Sequence, residues 1–308
     1  TNRVLNNISI NEANGLAIVG TGVRTLGGNG NITITVANGN LSVNAVVSTH
    51  GSGALSLEAT QGTATISATL TSTTGNISVL GAGITQNSNI STGGSGQVTL
   101  DQSGDQMANP LNIVMTDGST TTTVDGRILY RTGNDVVLSR LISVNGNIFV
   151  EALLGDITET TAAETANLST SGFVSFIATG VFGAAGAADI DTTIGSLRGA
   201  ATNGTVFVQE TNALIIDNSG ISGGGTISID VDAGNLTVNA PIQNNGSGNV
   251  LLNVDAGSAL IGGLVSSSTG GNITVTALTG SITDTLADTD AGTAGEQGIN
   301  FQTTGILT

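Results

Sequence analysis

The sequence predicts an all-β protein, a right-handed parallel β-helix (solenoid) with about three short strands in each coil of roughly 22 residues. Three observations predict it. Short aliphatic runs return at a fixed period, and those beginning at Ile227, Val250 and Ile273 lie 23 residues apart. Residues alternate inside each run, so Ile273 and Val275 point inward while Thr274 and Thr276 meet solvent. Gly-rich spacers, such as Gly223 to Gly225 and Gly270 with Gly271, lead from one repeat to the next and suit turns that need positive φ. One coil cannot bury its apolar face alone. Stacking the next coil at about 4.8 Å covers that face and completes the backbone hydrogen bonds. The handedness follows from the general preference of parallel crossover connections.

Taken in order, the chain opens with Ile8 and Ile10, then Leu16 and Ile18, then Ile32, Ile34 and Val36, with Leu41 and Val43 as the second strand of that coil. First strands continue at Leu55, Ile77 and Val98, in steps of 23, 22 and 21 residues. Register loosens over 101–147, where Pro110 cannot donate to a ladder, and this reads as irregular coils with longer turns. The pattern resumes at Val174 and Val206. Longer loops are expected at 156–172, 178–204 and 283–298, and enlarged loops on one side of a solenoid make a candidate binding face. In the last repeats Leu236, Leu260 with Ile261, and Ile282 mark second strands, and Ile221, Ile242 and Leu264 with Val265 mark third strands. The whole of 1–308 is expected to be a single continuous β-helix of about 13 or 14 coils, roughly 60 to 70 Å long.

Composition agrees with a thin aliphatic column: 38% of residues are hydrophobic and only 2% aromatic, with 46 Gly. A net charge of −16, with six Arg and no Lys, repels phosphate, so no nucleic-acid partner is expected and anionic membranes are disfavoured. No run is long enough for a membrane span. Without Cys there is neither disulfide nor thiolate chemistry. A start at Thr1, with no Met and no signal peptide, is expected of a segment processed or excised from something longer.

Carboxylates gather in small groups: Asp189 with Asp191, Asp230 with Asp232, and Asp284, Asp288 and Asp290. The last three are the candidate ligands for Ca2+, a hard cation that accepts carboxylate oxygen, although their spacing is not that of an EF-hand. The competing reading is solvated acids that keep the protein soluble. Enzymatic chemistry would be sought at Asp125, Arg127, Arg131, Asp135 and Arg140, against the plainer reading of exposed ion pairs. His50, the single His, lies in a turn between repeats. Asn31, Asn76, Asn249 and Asn272 before first strands, and Asn40 and Asn235 before second strands, fit turn geometry and an axial amide ladder better than glycosylation. Matched Thr pairs occur only at Thr33 with Thr35 and at Thr274 with Thr276, too far apart for an ice-binding array.

The run Gly271, Asn272, Ile273, Thr274, Val275 and its recurrent variants resemble the repeat regions of large bacterial filamentous-haemagglutinin-like exoproteins. The resemblance is one of repeat style over nearly the whole chain. It implies a non-enzymatic, extracellular adhesive or structural shaft at a bacterial cell surface, and it carries no catalytic motif to transfer. The partners it implies are a host or neighbouring cell surface, glycans or matrix. Open strand edges add copies of the chain stacked end to end into a filament. The alternative is a β-helical polysaccharide-binding or polysaccharide-cleaving enzyme.

Overall fold

The computed structural model describes residues 7–102, 111–160 and 165–285, and the backbone of 301–303. Among the described residues there is no helix. Parallel strands wind into a β-solenoid of about 12 turns, with roughly 23 residues per turn. The chain divides into two compact units, Thr1–Ala162 with Asn167–Gly172, and Ala163–Ala166 with Phe173–Thr308.

Within the first unit, three ladders run side by side. First strands pair in register through Ile8, Ile32, Leu55, Ile77, Val98, Ile128 and Ile148. Second strands pair through Leu16, Leu41, Ala64, Ile84, Ile113, Val136 and Ile157. Third strands pair through Val47, Leu70, Ile90, Thr121, Leu141 and Leu168. Between Ile113 and Asn147, where the aliphatic spacing loosens, the ladders hold their register. The polar Thr121 enters its column because it has partners there. Its hydroxyl meets the buried Tyr130 hydroxyl at 2.6 Å and accepts from Gln86 Nε2 at 3.1 Å, while Tyr130 also donates to Gln86 Oε1. Desolvation holds the Tyr130 hydroxyl well above the usual phenol range, so it stays a donor.

The second unit repeats the design. Val206, Ile227, Val250 and Ile273 pair in one column, Leu214, Leu236, Ala259 and Ile282 in the next, and Ile221, Ile242, Val265 and Phe301 in the third. At the second strand of the penultimate repeat the inward residues are Ala259 and Ile261, not Leu260, which faces out. Each fully buried Val, Leu or Ile in these columns contributes about 1.5 to 3 kcal/mol.

Turns are where the coils approach most closely. A Cβ at Gly126 would collide with the Gly96 carbonyl of the coil before it, and one at Gly271 with the Gly248 carbonyl. Neither glycine has positive φ, so space rather than backbone conformation selects Gly there; Gly270, at φ 72°, is the conformational case. Buried hydroxyls at the third position of third strands serve these turns. Ser72 Oγ donates to Gly53 O at 2.9 Å, Thr92 Oγ1 to Gly75 O at 2.7 Å, and Ser267 Oγ to Gly248 O at 3.0 Å.

The turn asparagines work along the axis, though not as stacked amides alone. Asn31 Oδ1 accepts the N–H of Ala54 at 2.8 Å, Asn76 that of Gln97 at 2.9 Å, Asn235 that of Ser258 at 2.9 Å and Asn249 that of Asn272 at 2.9 Å. Each side chain therefore supplies the acceptor that the next turn's backbone lacks. Asn249→Ala is expected to lower stability by about 1 kcal/mol in urea titration, the worth of one such bond. An unchanged midpoint would mean that water replaces the amide.

Candidate functional site

The second unit places its chemistry on the outward face of its first strands. Val206–Glu210, Ile227–Ala233 and Val250–Ala256 are stacked so that Phe207 aligns with Ser228 and Leu251, and Gln209 with Asp230 and Asn253. Alternation puts Asp230 and Asp232 on the same face, and the register lays Asp255 beside Asp232 one coil on. Carboxylate oxygens of Asp230, Asp232 and Asp255 all come within 4.8 Å of one another.

Like charges in register repel, and amide donors offset this here. Asn253 Nδ2 donates to Asp230 Oδ1 at 2.8 Å and to Asp255 Oδ1 at 2.9 Å, while Gln209 Nε2 reaches the Asp232 oxygens at 3.3 and 3.4 Å. Partial burial, helped by the neighbouring Asp255 and Asp232 charges, raises the Asp230 pKa. Three carboxylates would suit a hard divalent cation, but amide donors from Asn253 and Gln209 already bond to each of them.

Beside Asp230 lies an open cleft of about 520 Å³, lined by Gly186, Ala187, Asp189, Phe207, Val208, Gln209, Ser228 and Asp230. Its wall is the small-residue loop that follows the strand Leu168–Ala178. Gly183 and Gly186 take φ of 73° and 74°, and the N–H groups of Ala188 and Asp189 both turn back to Gly186 O. Phe182 anchors the loop by receiving the Phe207 N–H on its carbonyl and stacking its ring on Phe176 at 3.9 Å.

Directly behind this face is Glu210, fully buried at the fifth position of its strand. Thr192 Oγ1 donates to it at 2.7 Å, Ile194 N at 3.1 Å and Asn212 N at 3.0 Å. Desolvation outweighs these donors and pushes the Glu210 carboxyl up to about 7.

The residues expected from sequence are dispersed. Of the candidate Ca2+ ligands, Asp284 ends the strand Ile282–Asp284, while Asp288 and Asp290 lie outside the described residues. Arg131 is tied to Asp101 by two bonds, at 3.0 Å from Nε and 2.5 Å from Nη2. Arg127 lies over the Phe149 ring at 5.8 Å, Asp125 accepts from Asn145 Nδ2 at 2.7 Å, and Asp135 accepts the Asp156 N–H at 3.0 Å. Each thus braces a neighbouring coil. His50 Nδ1 meets Gly28 O at 3.1 Å, and the His50 backbone N–H donates to Thr25 Oγ1, which makes it a turn residue. Among the described residues, no helix is long and apolar enough to cross a membrane.

The Asp230 and Asp232 pair is visible in the sequence, and the coil period is the signal that adds Asp255 to it. The enlarged loop within 178–204 is legible in the sequence, but Phe207 carries no signal, because an outward Phe looks like any other strand residue until a long turn lies beside it. Comparison of the chain with protein-family models, curated proteins and solved structures finds no match.

Proposed function

We propose that the protein is a non-enzymatic, extracellular shaft of a bacterial surface or secreted protein, of the filamentous-haemagglutinin-like kind, adhesive or structural in role and able to stack end to end. The observation that supports this reading is the stacking of both units as in-register parallel ladders, with Ser, Thr, Asn and Asp frequent among the outward positions. Such a scaffold supplies reach and a long polar contact surface. The edge of a parallel coil presents backbone groups with which a further coil can pair.

Electron microscopy of the purified chain at rising concentration tests the stacking. Rods that lengthen with concentration are expected, and particles of one-chain length at every concentration would overturn it. A second reading, a β-helix that binds or cleaves polysaccharide, is favoured by the cleft with Asp189 and Asp230 on its lining, since glycan hydrolysis uses paired carboxylates. Reducing-end release from neutral or acidic glycans, abolished by Asp230→Asn, would establish that reading and displace the first.

A further inference from the structure

Aromatic rings are scarce in this chain, with six Phe and one Tyr, and two of the outward Phe rings are covered in the same way. In the first unit the Arg127 guanidinium sits over Phe149 at 5.8 Å; in the second the Arg198 guanidinium sits over Phe173 at 3.6 Å. Phe207 occupies the same place in its strand as Phe149 does in its own, the second residue of an inward-outward-inward start. Yet among the described residues no guanidinium covers Phe207, and its half-buried ring instead lines the cleft.

What surrounds that ring is of one electrostatic sign. Asp189 and Asp230 line the cleft with Gln209 and Ser228, no Arg or His is among the lining residues, and Asp232 and Asp255 stand next to Asp230. A cation above a π face is attracted by the ring quadrupole, and carboxylates around it add to that attraction. The cation that completes the pattern elsewhere in the chain is thus absent where the negative potential is concentrated.

We propose that this cleft binds an ammonium-bearing sugar, with its protonated amine held between the Phe207 ring and Asp230. Gln209 and Ser228 then face the hydroxyl groups, which need both donors and acceptors. The cleft volume, about 520 Å³, suits one or two sugar residues rather than a bare ion. This inference goes beyond the shaft reading and stands without it, because ligand binding and end-to-end stacking are measured separately.

The test is calorimetric titration of the whole chain with a glucosamine trimer carrying free amines, with the fully N-acetylated trimer as the neutral control. The amine form should bind at least tenfold more tightly, its affinity should fall as salt rises, and Phe207→Ala or Asp230→Asn should each cost tenfold or more. Both variants are checked by thermal melting. Asp230→Asn keeps an acceptor for Asn253, so it separates loss of charge from loss of fold. Equal binding of the two trimers, or binding of neither, would overturn the proposal. Butylammonium binding as tightly as the amine trimer would overturn the sugar assignment. Displacement of the trimer by calcium at equal concentration would overturn the organic cation in favour of a metal.

Discussion

Ile229→Asp is expected to cost more than about 5 kcal/mol and to unfold the coils on either side of it. Ile229 is fully buried, and its neighbours up and down the column are Val208, 2% exposed, and Leu252, 1% exposed. A carboxylate placed between them meets neither water nor a donor, and it removes an aliphatic contact from two other coils at once. Its counterpart on the outward face, Thr237→Asp, should stay within about 0.5 kcal/mol. Urea titration followed by circular dichroism measures both. Similar losses for the inward and outward changes would mean that the alternation does not separate core from surface.

The second large effect is on pH. The native chain takes up a proton at Glu210 at about 7, against an ordinary glutamate value near 4.5 when unfolded. The stability this contributes is therefore fully present below about 4.5, declines as pH rises, and is gone above about 7. The difference amounts to about 3 kcal/mol, and Asp230, also raised, adds in the same direction. Melting temperature should fall between pH 5 and pH 8, and Glu210→Gln should remove most of that slope while Thr192 rotates to accept from the new amide. A melting temperature that rises over this range, or a slope untouched by Glu210→Gln, would contradict the assignment.

Much of the architecture could be read directly from residue spacing because a solenoid writes its contacts into its period. Ile227, Val250 and Ile273 are equivalent in sequence, and they are paired in the fold for the same reason. Finer features depend on register, which the period alone leaves ambiguous by one residue. Leu260 looks like a core residue until Ala259 is seen aligned with Leu236, which turns Leu260 outward. Turn glycines suggest positive φ, while at Gly126 and Gly271 the controlling fact is a carbonyl one coil away.

The site was harder to read for a related reason. Asp255 joins Asp230 and Asp232 only when one coil's offset is applied to Asp232, and Gln209 and Asn253 matter only because they land beside those acids. Asp125, Arg127 and Arg131 look like a cluster in sequence, but alternate strand positions and separate turns give each of these three its own partner. Glu210 gives no signal at all, since its donors come from Thr192 and Ile194 on the strand Ile190–Ala201 and from Asn212 in the turn after its own strand.

The in-register parallel stack can be tested with cysteine pairs, since the chain has no Cys of its own. Thr237 pairs with Leu260, and Leu260 with Thr283, all three outward. Adjacent coils are about 4.8 Å apart, within the Cα range of a disulfide, whereas two coils span about 10 Å. Thr237→Cys combined with Leu260→Cys should oxidise fully and leave the melting temperature intact or raised. Thr237→Cys combined with Thr283→Cys should remain reduced under the same conditions. Equal oxidation of both pairs, or preference for the second, would contradict the stacking on which the core, the turns and the cleft all depend.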